Sequence, residues 1–184
     1  MGAKGIGFDP RSFPDLMCWY KFADKSTVTL ETGISQLLDL SGNGFDLSQS
    51  TASLQPAYLQ DGYWKGYFHF DEITCVVPTN HYPELSLYLV VQSKATQINY
   101  SSLFSSGYSN GTVGNFQIDY VNDKVRVKIG SLGDMPIETS PSKDLMVLEV
   151  HYDNDTHRLS SYINNVAKAS KSYTWTGGVE FDRI

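Results

Sequence analysis

The chain has 184 residues, the length of one domain at roughly 100–200 residues per domain, which leaves no room for a separate cofactor-binding fold. Hydrophobic residues make up 41% and aromatics 13%, enough for a packed core, while charged residues reach only 18% against the roughly 25% of an average soluble domain. The formal charge of −6 supplies no Lys/Arg stripe to neutralise phosphates, so nucleic acid is excluded as a partner.

In chain order, residues 1–7 carry three glycines and read as a flexible tail ahead of one domain over 8–184. Residues 1–15 lack the apolar stretch of a signal peptide, and the strongly apolar run 85–91 is far shorter than the roughly 20 residues of a membrane span. The expectation is a soluble chain made in the cytoplasm without export, with no membrane partner. Trp19 and Tyr20 are placed on a first strand as large buried area, and Cys18 and Cys75 as buried thiols. Residues 34–40 fit a short helix or a strand equally, stopped by Gly42 and Gly44.

Period two then takes over. Leu85, Leu87, Leu89 and Val91 alternate with Ser86, Tyr88, Val90 and Gln92 as a core strand. Asn122-Asp123 predicts a two-residue turn joining strands 115–121 and 124–130 in a hairpin. Lys124, Arg126 and Lys128 alternate with Val125, Val127 and Ile129, which makes them the solvent face of the second strand. Leu148, Val150 and Tyr152 mark a further strand, ended by the polar turn 153–156. Leu159, Ser161 and Ile163 mark the next, and Asn164-Asn165 turns the chain into 166–171. Three strand pairs with short turns predict an all-β fold, an antiparallel two-sheet β-sandwich of jelly-roll type.

The N-terminal third also carries a resemblance. Phe8-Asp9-Pro10, Phe13-Pro14-Asp15-Leu16, Trp19-Tyr20 and Asp24 are followed by Ile34-Ser35-Gln36, Asp39, Ser41-Gly42-Asn43-Gly44, Asp46-Leu47 and Gln49. This order resembles the opening of laminin-G-like, concanavalin-A-like jelly-roll domains, with Leu37 where that family commonly has Trp. Phe68-His69-Phe70-Asp71 and Tyr162-Ile163-Asn164-Asn165 resemble later strands of the family, so the likeness spreads over about residues 8–175. Such domains recur in bacterial surface proteins and in bacteriophage tail-fibre and capsid-attached proteins. The resemblance implies a virion structural protein, either a fibre, a receptor-binding part or a capsid decoration, acting through protein or carbohydrate contacts, with host surface polysaccharide as one partner. The alternative it leaves open is a cell-associated sugar-binding module or a degenerate glycoside hydrolase.

The same fold carries glycosidases, and Glu149, His151 and Asp153 sit at i, i+2 and i+4 of one strand. Same-face neighbours on a strand are about 6.6 Å apart and the ends of this trio about 13 Å, against roughly 5–5.5 Å for a retaining carboxylate pair. His151 stands where a central carboxylate belongs, so the trio reads as a polar outer face beside a turn and the chain as non-catalytic. Asp153 and Asp155 are weak candidates for Ca²⁺, against which a plain Asx turn is favoured; no other metal or cofactor is expected. Aromatic and polar residues near turns, Tyr63, Trp64, Tyr108, Asn110, Tyr173 and Trp175, are the candidate ligand-binding set. Each is equally suited to packing. Residues 179–184 alternate like the start of a strand. Relatives continue with further closing strands, so this edge is expected either to be covered by another virion protein or a second copy, or to belong to a fragment.

Overall fold

A computed structural model describes residues 9–59, 64–65, 80–82, 84–92, 102–105, 116–121, 124–129, 134–137, 145–172 and 179–181; the 1–7 tail, Cys75 and residues 182–184 lie outside them. The described chain is antiparallel β structure, with helix confined to short 3₁₀ turns at Pro10–Ser12, Lys25–Thr27 and Ala52–Leu54. Among these residues no helix is long and apolar enough to cross a membrane. The chain divides into two compact units, Met1–Cys75 and Val76–Ile184.

In the first unit β1 (Val28–Leu30), β2 (Ile34–Leu37) and β3 (Leu47–Ser48) form one sheet in that order, and β4 (Ala57–Tyr58) pairs with β5 (Trp64–Lys65). The ambiguous segment 34–40 therefore opens as a strand. Strands on both sides pair with its backbone, and Ile34 and Leu37 are each 1% exposed. Its entry is tight: a Cβ on Gly33 would stand 2.7 Å from the carbonyl oxygens of both Gln55 and Pro56, so only glycine admits the approach.

The Ser41-Gly42-Asn43-Gly44 segment follows, with Gly42 and Gly44 at φ of 95° and 79°, the left-handed turn its glycines predict. Its centre is the carboxylate of Asp39. Oδ1 accepts the backbone N–H groups of Trp19 and Ser41, both at 2.9 Å; Oδ2 accepts the Ser41 hydroxyl at 2.6 Å and the Phe45 N–H at 3.2 Å. Asp46 repeats the device by accepting the Asp39 N–H, and Asn43 donates to the carbonyls of Leu16 and Met17. These bonds tie residues 16–20 to the sheet without making them a strand. Trp19 and Tyr20 consequently lie in an extended, half-buried segment rather than on a first strand, with Arg11 and Lys21 stacked over the Trp19 ring. Cys18 beside them is likewise half-buried, not interior.

In the second unit the strands are β6 (Asn80–Tyr82), β7 (Glu84–Val91), β8 (Ser102–Ser105), β9 (Phe116–Val121), β10 (Lys124–Ile129), β11 (Asp134–Ile137), β12 (Met146–Asp153), β13 (Arg158–Ile163), β14 (Val166–Ser172) and β15 (Val179–Phe181). They build two four-stranded sheets, ordered β11-β10-β9-β8 and β14-β13-β12-β7, and a short β15-β6 pair. One face of the first sheet buries Phe116, Ile118, Tyr120, Val125, Val127, Met135 and Ile137. One face of the second buries Met146, Leu148, Val150, Tyr152, Leu159 and Ile163. These faces are the two inner surfaces of a β-sandwich. The expected hairpin is present, with Val121 opposite Lys124 across two connecting residues. Asn164 and Asn165, at φ of 51° and 64°, make the tight primed turn from β13 to β14. Val179–Phe181 pairs with Asn80–Tyr82 of the same chain, so one side of that strand finds its ladder internally.

The solvent-face reading of β10 needs correction. Arg126 lies directly opposite Asp119, whose side chain is fully buried, and its guanidinium pairs with both carboxylate oxygens, Nε donating to Oδ1 at 2.8 Å and Nη2 to Oδ2. Gln117 adds a donor at 3.1 Å. Alternation put these three side chains on one face correctly, but that face is covered at its centre. A buried carboxylate survives there only because a bidentate partner sits on the neighbouring strand.

Two predictions follow from these carboxylates. Asp119→Ala strands the Arg126 charge in a dry position and should cost roughly 3–5 kcal/mol in urea unfolding, most of which a joint Asp119→Leu/Arg126→Met replacement recovers. Burial acts to raise the Asp39 pKa, but the Ser41, Trp19 and Phe45 donors prevail and hold it below the ordinary carboxylate value. Because the folded value is depressed, its stabilisation is complete above an unfolded pKa of about 3.9 and disappears as the pH falls through the folded one. Asp39→Asn should lower stability at neutral pH by roughly 1–3 kcal/mol and flatten the acid limb of the urea midpoint against pH.

Candidate functional site

The outer face of the β14-β13-β12-β7 sheet gathers the polar and aromatic side chains that the buried face excludes. Register sets its rows. Glu149 of β12 lies opposite Tyr88 of β7 and Tyr162 of β13, and His151 lies opposite Ser86 and Ser160. On β12 the alternation is strict, with 146, 148, 150 and 152 buried and 147, 149, 151 and 153 half-exposed. Period-two geometry on a strand with one buried face thus turns Glu149 and His151 outward together.

His151 is the centre of the cluster. Tyr88 and Tyr162 meet its ring edge-on from either side, each with centroids 5.6 Å away and interplanar angles of 82° and 75°. Ser86 Oγ stands 2.9 Å from Nδ1, and Glu149 Oε2 stands 3.7 Å from Nε2. The imidazole is thereby held in place by two rings and two polar neighbours. Tyr88 is 55% exposed, an unusual degree for so large a side chain in the middle of a strand.

Asp153 continues the same face, but its carboxylate is engaged elsewhere. Oδ1 accepts the N–H groups of Asp155 at 2.9 Å and Thr156 at 3.2 Å, while Oδ2 accepts the Thr156 hydroxyl at 2.7 Å. Those bonds, the Thr156 hydroxyl first, lower its pKa. The result is an Asx-type cap on a four-residue loop that closes through His157 in the left-handed conformation, φ 51°. Asp153 and Asp155 thus share a bond inside this turn, and among the described residues no group of three or more His, Cys, Asp or Glu is arranged to hold a metal.

Beside the aromatic cluster, β13 and β14 border a shallow groove of about 270 Å³. Tyr162 forms its wall towards the cluster, and Arg158, Ser160, Lys168 and Ser170 line it. Lys168 is the extra residue of a β-bulge, since Ser161 opposes Ala169 and Tyr162 opposes Ala167.

Of the ligand-binding set named from sequence, Trp64 lies in β5 with its backbone opposite Tyr58. Tyr63, Tyr108, Asn110, Tyr173 and Trp175 lie outside the described residues. The structure brings together Tyr88 and Tyr162 instead, and in the sequence neither stands out because each occupies a polar position of an alternating strand. The signal was available in part: a turn that sets Asp153 opposite Arg158 also sets Glu149 opposite Tyr162. Exposed aromatics clustered on one face are enriched at contact surfaces. No protein-family model matches the sequence, and no curated protein matches it.

Proposed function

We propose that the chain is a non-catalytic carbohydrate-binding module whose contact surface is the outer face of the β7, β12 and β13 strands. The observation that carries this reading is the row of an exposed Tyr88 with the half-buried His151 and Tyr162, with Ser86, Glu149 and Ser160 beside it. Sugar rings present apolar C–H faces edged by hydroxyls. A row of aromatic side chains with interleaved donors and acceptors complements both, the rings supplying contact area and the polar groups fixing orientation.

The state of Asp153 supports a binding role over glycoside hydrolysis. A general acid in that chemistry works with a raised pKa and a free carboxyl. Asp153 has the opposite shift, and both of its oxygens accept hydrogen bonds from the turn. The setting, a bacteriophage fibre, receptor-binding part or capsid decoration that reads a bacterial surface polysaccharide, rests on the resemblance of residues 8–175 to laminin-G-like domains.

A glycan array followed by calorimetry tests the module. Tyr88→Ala and Tyr162→Ala should each weaken the selected glycan about tenfold, in line with the loss of one stacking surface of roughly 0.5–1.5 kcal/mol together with its area. Tyr88→Ala should leave the melting temperature within about 2–4 °C of the parent, because its side chain is largely in solvent. Unchanged affinity in both variants would remove this face from the function.

A further inference from the structure

We infer that the ligand of this face is an acidic saccharide, whose carboxylate is received in the groove between β13 and β14 by Arg158 and Lys168. The inference rests on the carbohydrate reading above and names the chemical class that the reading leaves open.

The first observation is the disposition of Arg158. On β12 the residue directly opposite is Asp153, the natural cross-strand partner for an arginine. That carboxylate is occupied by Thr156 and Asp155, and among the described residues Arg158 makes no ion pair. Its Nε donates instead to Ser170 Oγ at 2.6 Å, which steers the guanidinium over β14 and leaves the two terminal nitrogens for another acceptor. A guanidinium already oriented by a neighbour loses less side-chain freedom when it meets a planar carboxylate, which two parallel N–H groups match.

The second observation is the bulge. An extra residue in β14 breaks the alternation and adds Lys168 to the groove lining with Arg158, so two cations share one concavity. None of the described residues lining that concavity is acidic. The acidic groups of this face, Glu84, Glu149 and Asp153, all lie on β7 and β12. The face is therefore polarised across the strands, with carboxylates on one side and cations on the other. Alanines 167 and 169 keep the floor low, and Ser160 and Ser170 offer hydroxyls at ring-substituent height. Tyr162 belongs to both the groove and the aromatic row, so a sugar ring resting on it lies next to the basic groove. A hexuronic acid supplies both the ring and the carboxylate.

The test uses the full chain and matched probes: oligosaccharides of galacturonate, glucuronate and mannuronate, each beside its carboxyl-reduced counterpart. At low salt the acidic member of at least one pair should bind ten times or more tighter than the reduced member, with the difference shrinking as salt rises. Arg158→Gln and Lys168→Gln, both at exposed positions, should erase that difference while leaving the melting temperature unchanged. Equal binding of acidic and reduced members, weakened by Tyr88→Ala, overturns the acidic class and leaves the carbohydrate face standing. No binding of any pair, with Tyr88→Ala and Arg158→Gln indistinguishable from the parent on a wider array, overturns both.

Discussion

Strand β12 is hydrogen-bonded along both edges, to β7 through Met146–Val91 to Asp153–Glu84 and to β13 through Leu148–Ile163 to Asp153–Arg158. That double pairing fixes which side of the sheet each residue occupies. A slip of one residue would send Leu148, Val150 and Tyr152 into solvent and bury Glu149 and His151, exchanging roughly 1.5–3 kcal/mol of burial per apolar side chain for desolvated charge. Core and outer polar face are two consequences of one register. Two turns secure it. The capped loop 154–157 sets Asp153 against Arg158, and the Asn164-Asn165 turn sets Ile163 against Val166, while Asn164 exchanges hydrogen bonds with both backbone groups of Val147. Strand β13 is thereby cut to length at both ends.

Carboxylates hold several of the described connections of this chain of net charge −6. Asp39, Asp46 and Asp153 each accept backbone N–H groups at a bend, and Asp9 and Asp24 do the same at the start of short 3₁₀ turns. An ionised carboxylate is the strongest acceptor the side chains offer, and its fixed geometry makes a loop as determinate as a strand. Its cost is chemical idleness: a carboxylate held ionised by several donors is a poor proton donor at neutral pH. Asp119 solves the different problem of a charge inside the fold, and does so with the cross-strand guanidinium of Arg126.

Much of this order was legible in the residues. The alternations at 85–91, 116–121, 124–129 and 146–163 announced strands, and Asn-Asp and Asn-Asn marked the hairpin turns, because a period of two and a need for positive φ are local properties. What remained hidden was long-range. Nothing near Asp119 in sequence tells that its polar position is buried, since that depends on what covers the outer side of β9. Nothing near Tyr88 tells that β7 lies beside β12, a strand far along the chain, in the register that brings the ring to His151. Aromatics near turns stand out in a sequence because loops often carry function. A sheet face carries it equally well when its outward residues are aromatic, yet along a strand those residues look like any polar alternation.

Recognition on a sheet face, as proposed for this chain, also has an energetic logic. Side chains on paired strands have their backbones fixed before the ligand arrives, so binding pays chiefly for rotamers, about 0.5–1.5 kcal/mol for each flexible side chain ordered. His151 has been ordered in advance by Tyr88, Tyr162, Ser86 and Glu149, and Arg158 by Ser170. Individual sugar contacts are weak, and a preordered row lets several of them add without a new entropic loss at each. The bulge at Lys168 interrupts the alternation of β14 beside the groove, and Lys168 joins Arg158 in its lining. On the proposed reading, that break in the period adds a second cation to a face whose charge already differs from one edge to the other, and so strengthens the means of fixing a ligand's direction.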